Sequence, residues 1–177
     1  MASVPFPPLA LVPYLTQIAA ILTERKQSVC VAETAAGGLI SASLLSVPGA
    51  SAYYAGGLTV YTLASRTTFC DFTPDDFVNY QGPTPAIVER LATSTRAKLQ
   101  ATYAISESGT AGPTTARPTQ TLGYVALAIA TPSGVISREL KTGTSDRQTN
   151  MVLFAEEALK FFLQVLKGEI AERKMAL

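Results

Sequence analysis

The chain has 177 residues, enough for one domain with a single substantial core. It is 47% hydrophobic and 15% charged, with a formal net charge of +1 and no basic block, which disfavours nucleic acid as a partner. It contains no histidine, so Ser-His-Asp catalysis, Cys-His catalysis and histidine-ligated metals are excluded, and proton transfer falls to Glu, Asp, Lys, Tyr or a hydroxyl.

No apolar run approaches the length needed to cross a bilayer, so no membrane partner is expected. The apolar stretch from Val4 to Leu22 lacks a basic leader region and is broken by Pro5, Pro7, Pro8 and Pro13; it reads as a lead-in to a docked helix, not a signal peptide. Cys30 and Cys70 give no disulfide framework, and a reduced, cytoplasmic protein is expected.

In chain order, Leu11, Leu15, Ile18, Ala19 and Leu22 have helical spacing and predict a first helix over Leu9 to Arg25. Ser28 to Ala32 reads as a buried strand in which Cys30 is inert core. Glu33, Thr34 and the pair Gly37-Gly38 form a tight turn into a helix from about Gly38 to Ser46, stopped by Val47-Pro48-Gly49. Strand, glycine turn and helix make a ligand cleft in α/β folds, and a helix N-terminus there favours an anionic ligand group; an ordinary turn needing glycines for geometry has the same pattern. Tyr53 to Gly57 leads into a second buried strand, Leu58 to Tyr61, and Thr62 to Cys70 is a helical or irregular return. Asp71 to Pro85 reads as a surface loop. Thr84-Pro85 then caps a helix to about Gln100. Tyr103 to Ile105 is a third strand ending in a small-residue loop, Ser106 to Pro113. Leu122 to Ala130 and Val135 to Leu140 flank Thr131-Pro132-Ser133-Gly134 as a hairpin, and a last helix spans Asp146 to Lys167 before a charged tail, Gly168 to Leu177. This order predicts a three-layer α/β/α sandwich on a mixed, partly parallel sheet, formed by residues 1–177 as a single domain.

Three strand-end segments converge in such a sheet: Glu33 to Gly38, Tyr61 to Arg66, and Ser106 to Pro113. All are rich in glycine and small hydroxyl residues, which allow close backbone approach and offer neutral donors to a phosphate or carbonyl oxygen. Arg66 and Arg147 supply positive charge, and the set suits a phosphorylated small molecule better than a polymer.

At these residues the sequence resembles the C-terminal domain of the competence/damage-inducible CinA proteins, whose stand-alone members are bacterial nicotinamide mononucleotide deamidases. The matching pieces are V-A-E-T-A-A-G-G-L-I (Val31–Ile40), V-P-G-A-S (Val47–Ser51), G-G-L-T-V-Y (Gly56–Tyr61), S-G-T-A-G-P (Ser108–Pro113) and, more weakly, G-T-S-D-R (Gly143–Arg147). The resemblance implies an α/β fold, homo-oligomers, and hydrolysis of a nicotinamide amide to the acid with release of ammonia, with no metal or cofactor. The family pattern at the first loop is A-E-S-C-T-G-G with a serine nucleophile; here that position is Thr34, followed by Ala35-Ala36. The family's Y-S-N-E-A-K places a lysine base five residues after the tyrosine; here Tyr61 is kept and the lysine position is Arg66. Arginine stays protonated and cannot accept a proton, and the β-branch of threonine crowds attack. Ser51 and Ser108 keep hydroxyls where the family has serine and threonine, and Arg147 fits the arginine of a G-D-R-like turn.

The expected catalytic set is therefore Thr34, Tyr61, Arg66 and Glu33, and the expected substrate-binding set is Gly37, Gly38, Ser51, Glu107, Ser108, Gly109, Thr110 and Arg147. In an enzyme reading Thr34 attacks or orients water, Glu33 or Glu107 is the base, Tyr61 donates a proton and Arg66 holds an oxyanion or phosphate. Each has a plainer reading: Thr34 as a turn residue, Glu33 as a loop pin, Glu107 as a solvated side chain, Tyr61 as core and Arg66 as a surface cation. A domain that binds a nucleotide-like ligand without reacting, or serves as a structural subunit, is the alternative; the Tyr53-Tyr54 pair fits an oligomer contact as well as a ligand wall. A fold recruited to different chemistry, as in secondary metabolism, is another.

Overall fold

The computed structural model describes residues 6–170; Val4 and Pro5 of the apolar lead-in, and the tail beyond Ile170, lie outside the described residues. A 3-10 turn over Leu9–Leu11 leads into α1 (Val12–Arg25), with Pro13 in the first turn where its missing N–H is not needed. β1 (Val29–Glu33) is buried at every position. α2 (Leu39–Leu45), β2 (Tyr54–Thr59), α3 (Leu63–Phe69), α4 (Pro85–Leu99), β3 (Tyr103–Gly109), β4 (Tyr124–Ala130), β5 (Val135–Lys141) and α5 (Arg147–Leu166) follow. The five strands make one sheet in the order β2-β1-β3-β4-β5. β1 is parallel to β2 and to β3, whereas β3–β4 and β4–β5 are antiparallel.

The sheet's two faces differ in bulk. Val29, Val31, Ile105, Val125, Leu127 and Ile129 point into the main core with α1, α2 and α5. Their alternates Cys30, Ala104, Ala126, Ala128 and Ala130 are small and lie against Val88 and Ala92 of α4. The period of two along each strand produces this division. Small residues let α4 approach closely, and Ser106 on that face donates 2.6 Å to the Val88 carbonyl inside the helix. Burial pushes the Cys30 thiol up to about 12, which makes it an inert core group.

The chain passes from β1 through α2 to β2 on one side, then crosses back by α4 to β3 on the other. Strand order therefore reverses at β1, and the carboxyl ends of β1, β2 and β3 share one edge. Open α/β sheets leave a crevice at such a point.

Several sequence expectations are corrected. The second strand is Tyr54–Thr59, not Leu58 to Tyr61, and it is a half-exposed edge strand, not a buried one. Gly57 pairs with Val31 of β1, and the position is glycine because a Cβ there would come within 2.6 Å of Ser41 Oγ and of Tyr54 Oη. Ser106 to Gly109 continue β3 in place of forming a loop. Tyr53 is core, 2% exposed with its hydroxyl donating to the Leu44 carbonyl, so it is available neither as an oligomer contact nor as a wall of the cleft. The segment from Asp71 to Pro85 is packed: Phe72 is buried and stacks on Phe77 at 5.3 Å, and Arg90 pairs with Asp76. No helix among the described residues is long and apolar enough to cross a membrane.

Gly109 ends β3 where an added Cβ would meet Phe154 Cε2 at 2.5 Å and the Tyr124 carbonyl oxygen at 2.9 Å. Gly109→Ala is expected to destabilise the fold by about 1–3 kcal/mol through overpacking, read as a lower urea midpoint with an unchanged slope. An unchanged midpoint would mean that the Phe154 ring and β4 move aside freely.

Candidate active site

The turn between β1 and α2 is organised by Glu33, which is fully buried. Its Oε2 accepts from the N–H groups of Gly38 at 3.0 Å and Ile40 at 2.9 Å, and its Oε1 accepts from Ser41 N at 2.8 Å and Ser41 Oγ at 2.6 Å. These are the unpaired donors of the first turn of α2. The loop-pinning reading of Glu33 is what the geometry shows, and the carboxylate has no oxygen left over for base chemistry. The helix N-terminus, expected to face an anionic ligand, is occupied by this side chain. Gly37 and Gly38 adopt φ of 71° and 102°, which a residue with a Cβ avoids; they shape the turn and do not line the cleft.

Glu107, on β3, holds the same turn from the other side. Its Oε2 accepts from Thr34 N at 3.0 Å and Ala36 N at 2.9 Å. The side chain is fully buried, not solvated. Burial is the main cause that pushes its carboxyl up to about 7; the amides of Ala36 and Thr34 pull it down, the charge of Glu33 pushes it up, and Arg66 pulls it down.

Pinned between these carboxyls, Thr34 turns its hydroxyl to the cleft and donates 3.2 Å to Ser108 Oγ. Thr34 is 3% exposed and Ser108 fully buried. The cleft is about 300 Å³, near the lower end for small-molecule sites, and is lined by Thr34, Ser108, Gly109, Thr110 and the four side chains of Tyr61, Arg66, Tyr80 and Arg147. Arg66 is no surface cation. It is 4% exposed, donates from Nε to the Val60 carbonyl and from Nη1 to Tyr80 Oη at 3.1 Å, and lies 5.6 Å from the Tyr80 ring centre. Arg147 opens α5 across the cleft, donating from Nη1 to the Gly112 carbonyl at 2.9 Å and from Nη2 to Tyr61 Oη at 3.4 Å. Tyr61 is an exposed rim residue, not core. Two guanidiniums, each steadied by a phenol, thus face a hydroxyl pair. No lysine lines this cleft among the described residues.

Ser51 lies exposed on the 3-10 turn Ala50–Ala52, away from the cleft lining. Two contributors were not singled out in the sequence. Tyr80 came from a segment read as a surface loop, and only the aromatic run Phe72, Phe77, Tyr80 hinted that it is packed. Asn150 is buried in α5; its Nδ2 donates to the carbonyls of Ala111 at 2.8 Å and Thr144 at 3.0 Å, and its Oδ1 accepts from Thr142 Oγ1. It ties the loop after β3 to the loop before α5.

A carboxyl raised in the folded state binds more protons there than in the unfolded chain between its unfolded value, 4.5, and about 7. Stability is therefore expected to fall as pH rises through that window, by at most about 1.4 kcal/mol per pH unit from this group. Glu107→Gln should flatten that part of a thermal-midpoint profile; a profile identical to wild type would remove Glu107 as its source. Asp71, Asp76 and Asp146, all held below the usual range, act in the separate acid window.

Residues 13–166 match the family of the CinA C-terminal domain. A CinA-like protein of Shewanella piezotolerans is 36% identical over 125 residues, covering 71% of this chain and 30% of that protein. One of Shewanella amazonensis is 33% identical over 153 residues, covering 86% of this chain and 36% of that protein. The chain thus spans about a third of the length of these curated relatives. The competence/damage-inducible protein CihA of Agrobacterium tumefaciens superposes with a TM-score of 0.86 at 22% identity, over 93% of this chain and 99% of that one. A competence or damage-inducible protein of Enterobacter asburiae gives a TM-score of 0.82 at 23% identity, over 86% of this chain and 96% of that one. At such identities the solved structures speak for the fold, and the extent of the family match settles the rest: this chain belongs to the CinA C-terminal domain family.

Proposed function

We propose that the cleft is an amidohydrolase-type site of the nicotinamide mononucleotide deamidase kind, with Thr34 in the nucleophile's place and slow turnover. The observation that carries this reading is the Thr34 hydroxyl, bonded to Ser108 in a cleft that two guanidiniums also line, with the Thr34 backbone held by the buried Glu107 carboxyl. In the proposed reaction Thr34 Oγ1 bonds to the amide carbon, the carbon–nitrogen bond breaks, and the hydroxyl proton ends on the departing ammonia. Water then cleaves the threonyl ester and restores the hydroxyl. Arg66 and Arg147 act as fixed positive charges for the tetrahedral oxygen and for a phosphate on the ligand; neither accepts a proton. With arginine in the lysine position the nucleophile lacks a positioned base, a contribution of roughly 10²–10⁴ in rate.

Binding without turnover is the second reading. It is favoured by Arg66, whose hydrogen bonds to Val60 and Tyr80 make it part of the cleft wall.

Purified protein given nicotinamide mononucleotide is expected to release ammonia at well under the order of ten per second common to enzymes. Thr34→Ala should abolish that release, and Thr34→Ser with Arg66→Lys should raise it. Wild-type turnover at an ordinary enzyme rate would overturn the missing-base account, and full activity in Thr34→Ala would remove Thr34 as nucleophile. No ammonia together with a raised melting temperature would select the binding reading.

A further inference from the structure

The two carboxyls that hold the Thr34 turn are not equivalent. Glu33 divides four hydrogen bonds over both of its oxygens. Glu107 receives two, both on Oε2, and its Oε1 is enclosed with no partner among the described residues. A carboxylate with one bare oxygen in apolar surroundings is disfavoured relative to the acid. The acid keeps both acceptor bonds on its carbonyl oxygen, from Thr34 and Ala36, and an unpaired hydroxyl at Oε1 costs less in these surroundings than a bare charge does.

The surroundings of Glu107 bear this out on every side. β4 brings Leu127 opposite it. α5 brings Phe154 to the same face of β3, beside Gly109. β1 contributes Glu33, which opposes ionisation, and α3 contributes Arg66, which favours it. The chain has no histidine, and the arginines of the cleft stay charged throughout the working range.

We propose that Glu107, buried behind the Thr34 turn and outside the cleft lining, is the group whose ionisation the cleft senses, and that a dianionic ligand raises the proton occupancy of Glu107 Oε1. The inference rests on the anion-binding part of the reading above. A ligand oxygen bonded to Thr34 lies one residue's width from the Glu107 carboxyl, because Thr34 N is 3.0 Å from Oε2. A dianion there repels the carboxylate and tolerates the acid. Binding therefore raises the affinity of Glu107 for its proton, and by linkage the ligand is held more tightly below neutrality than above it. Glu107 is thus a positioning residue that also selects charge: it favours phosphate monoesters when protonated and weakens them when ionised.

The test is calorimetric titration of the full chain with sulfate, which stays dianionic across the range used. Wild type is expected to bind about tenfold more weakly at about pH 8.5 than at about pH 6. Near pH 7.5, titrations in two buffers of different ionisation enthalpy should show uptake of about half a proton. Glu107→Gln keeps the carbonyl acceptor and cannot ionise, so its affinity should be flat with pH. Sulfate binding with no pH slope and no proton uptake in wild type would overturn the role of Glu107 and leave the anion-binding reading standing. A slope that survives in Glu107→Gln would also overturn it. Absence of sulfate binding at every pH would overturn both. Should the variant fail to fold, the proton count on wild type decides by itself.

Discussion

Four hydrogen bonds converging on the Glu33 carboxylate are the constraint from which the rest of the site follows. They close the N-terminus of α2 onto the carboxyl end of β1 with an internal anion, so that end of the helix has no free donors for a ligand. Truncating such an acceptor leaves buried N–H groups unpaired, at about 1–3 kcal/mol each. With the helix end satisfied internally, the positive charge of the cleft has to come from side chains, and Arg66 and Arg147 supply it from α3 and α5. Thr34 is what remains of the turn for chemistry.

A second constraint is the unequal thickness of the layers. Bulky side chains fill one face of the sheet and alanines the other, so α4 lies close enough for a serine hydroxyl on β3 to reach its backbone. The run Ser106-Glu107-Ser108 is thereby able to occupy a central strand. Each polar side chain finds an internal partner: Ser106 the Val88 carbonyl, Glu107 the amides of Thr34 and Ala36, Ser108 the Thr34 hydroxyl.

That run also marks where the sequence could be read and where it could not. β1 was legible because five consecutive buried residues leave little else to be, and α4 and α5 because Thr84 and Asp146 are cap residues whose side chains do accept from Ile87 and Thr149. The glycine pair before α2 was legible for the same local reason. Serine and glutamate in a central strand were not, since their placement depends on partners more than seventy residues away. The bounds of β2 are not legible because Gly56-Gly57 carries the signature of a turn, while both glycines pair with β1 and Gly57 leaves room for Ser41 and Tyr54. Among site residues, Thr34, Tyr61, Arg66, Ser108, Gly109, Thr110 and Arg147 come together at the cleft. Ser51 does not, and Tyr80 and Asn150 join through contacts that no local pattern announces.

The central position of β1 has a consequence for how the site comes into being. Its neighbours are β2, a short crossover away, and β3, which lies beyond α4 in the chain. The bonds from Thr34 and Ala36 to Glu107 span 73 and 71 residues. During synthesis the Thr34 turn therefore emerges long before the residue that holds it, and a nascent chain ending at α4 has the turn without its anchor. Long closures of this kind form late and slowly. The cleft itself is then complete only after the last helix has brought Arg147 across it.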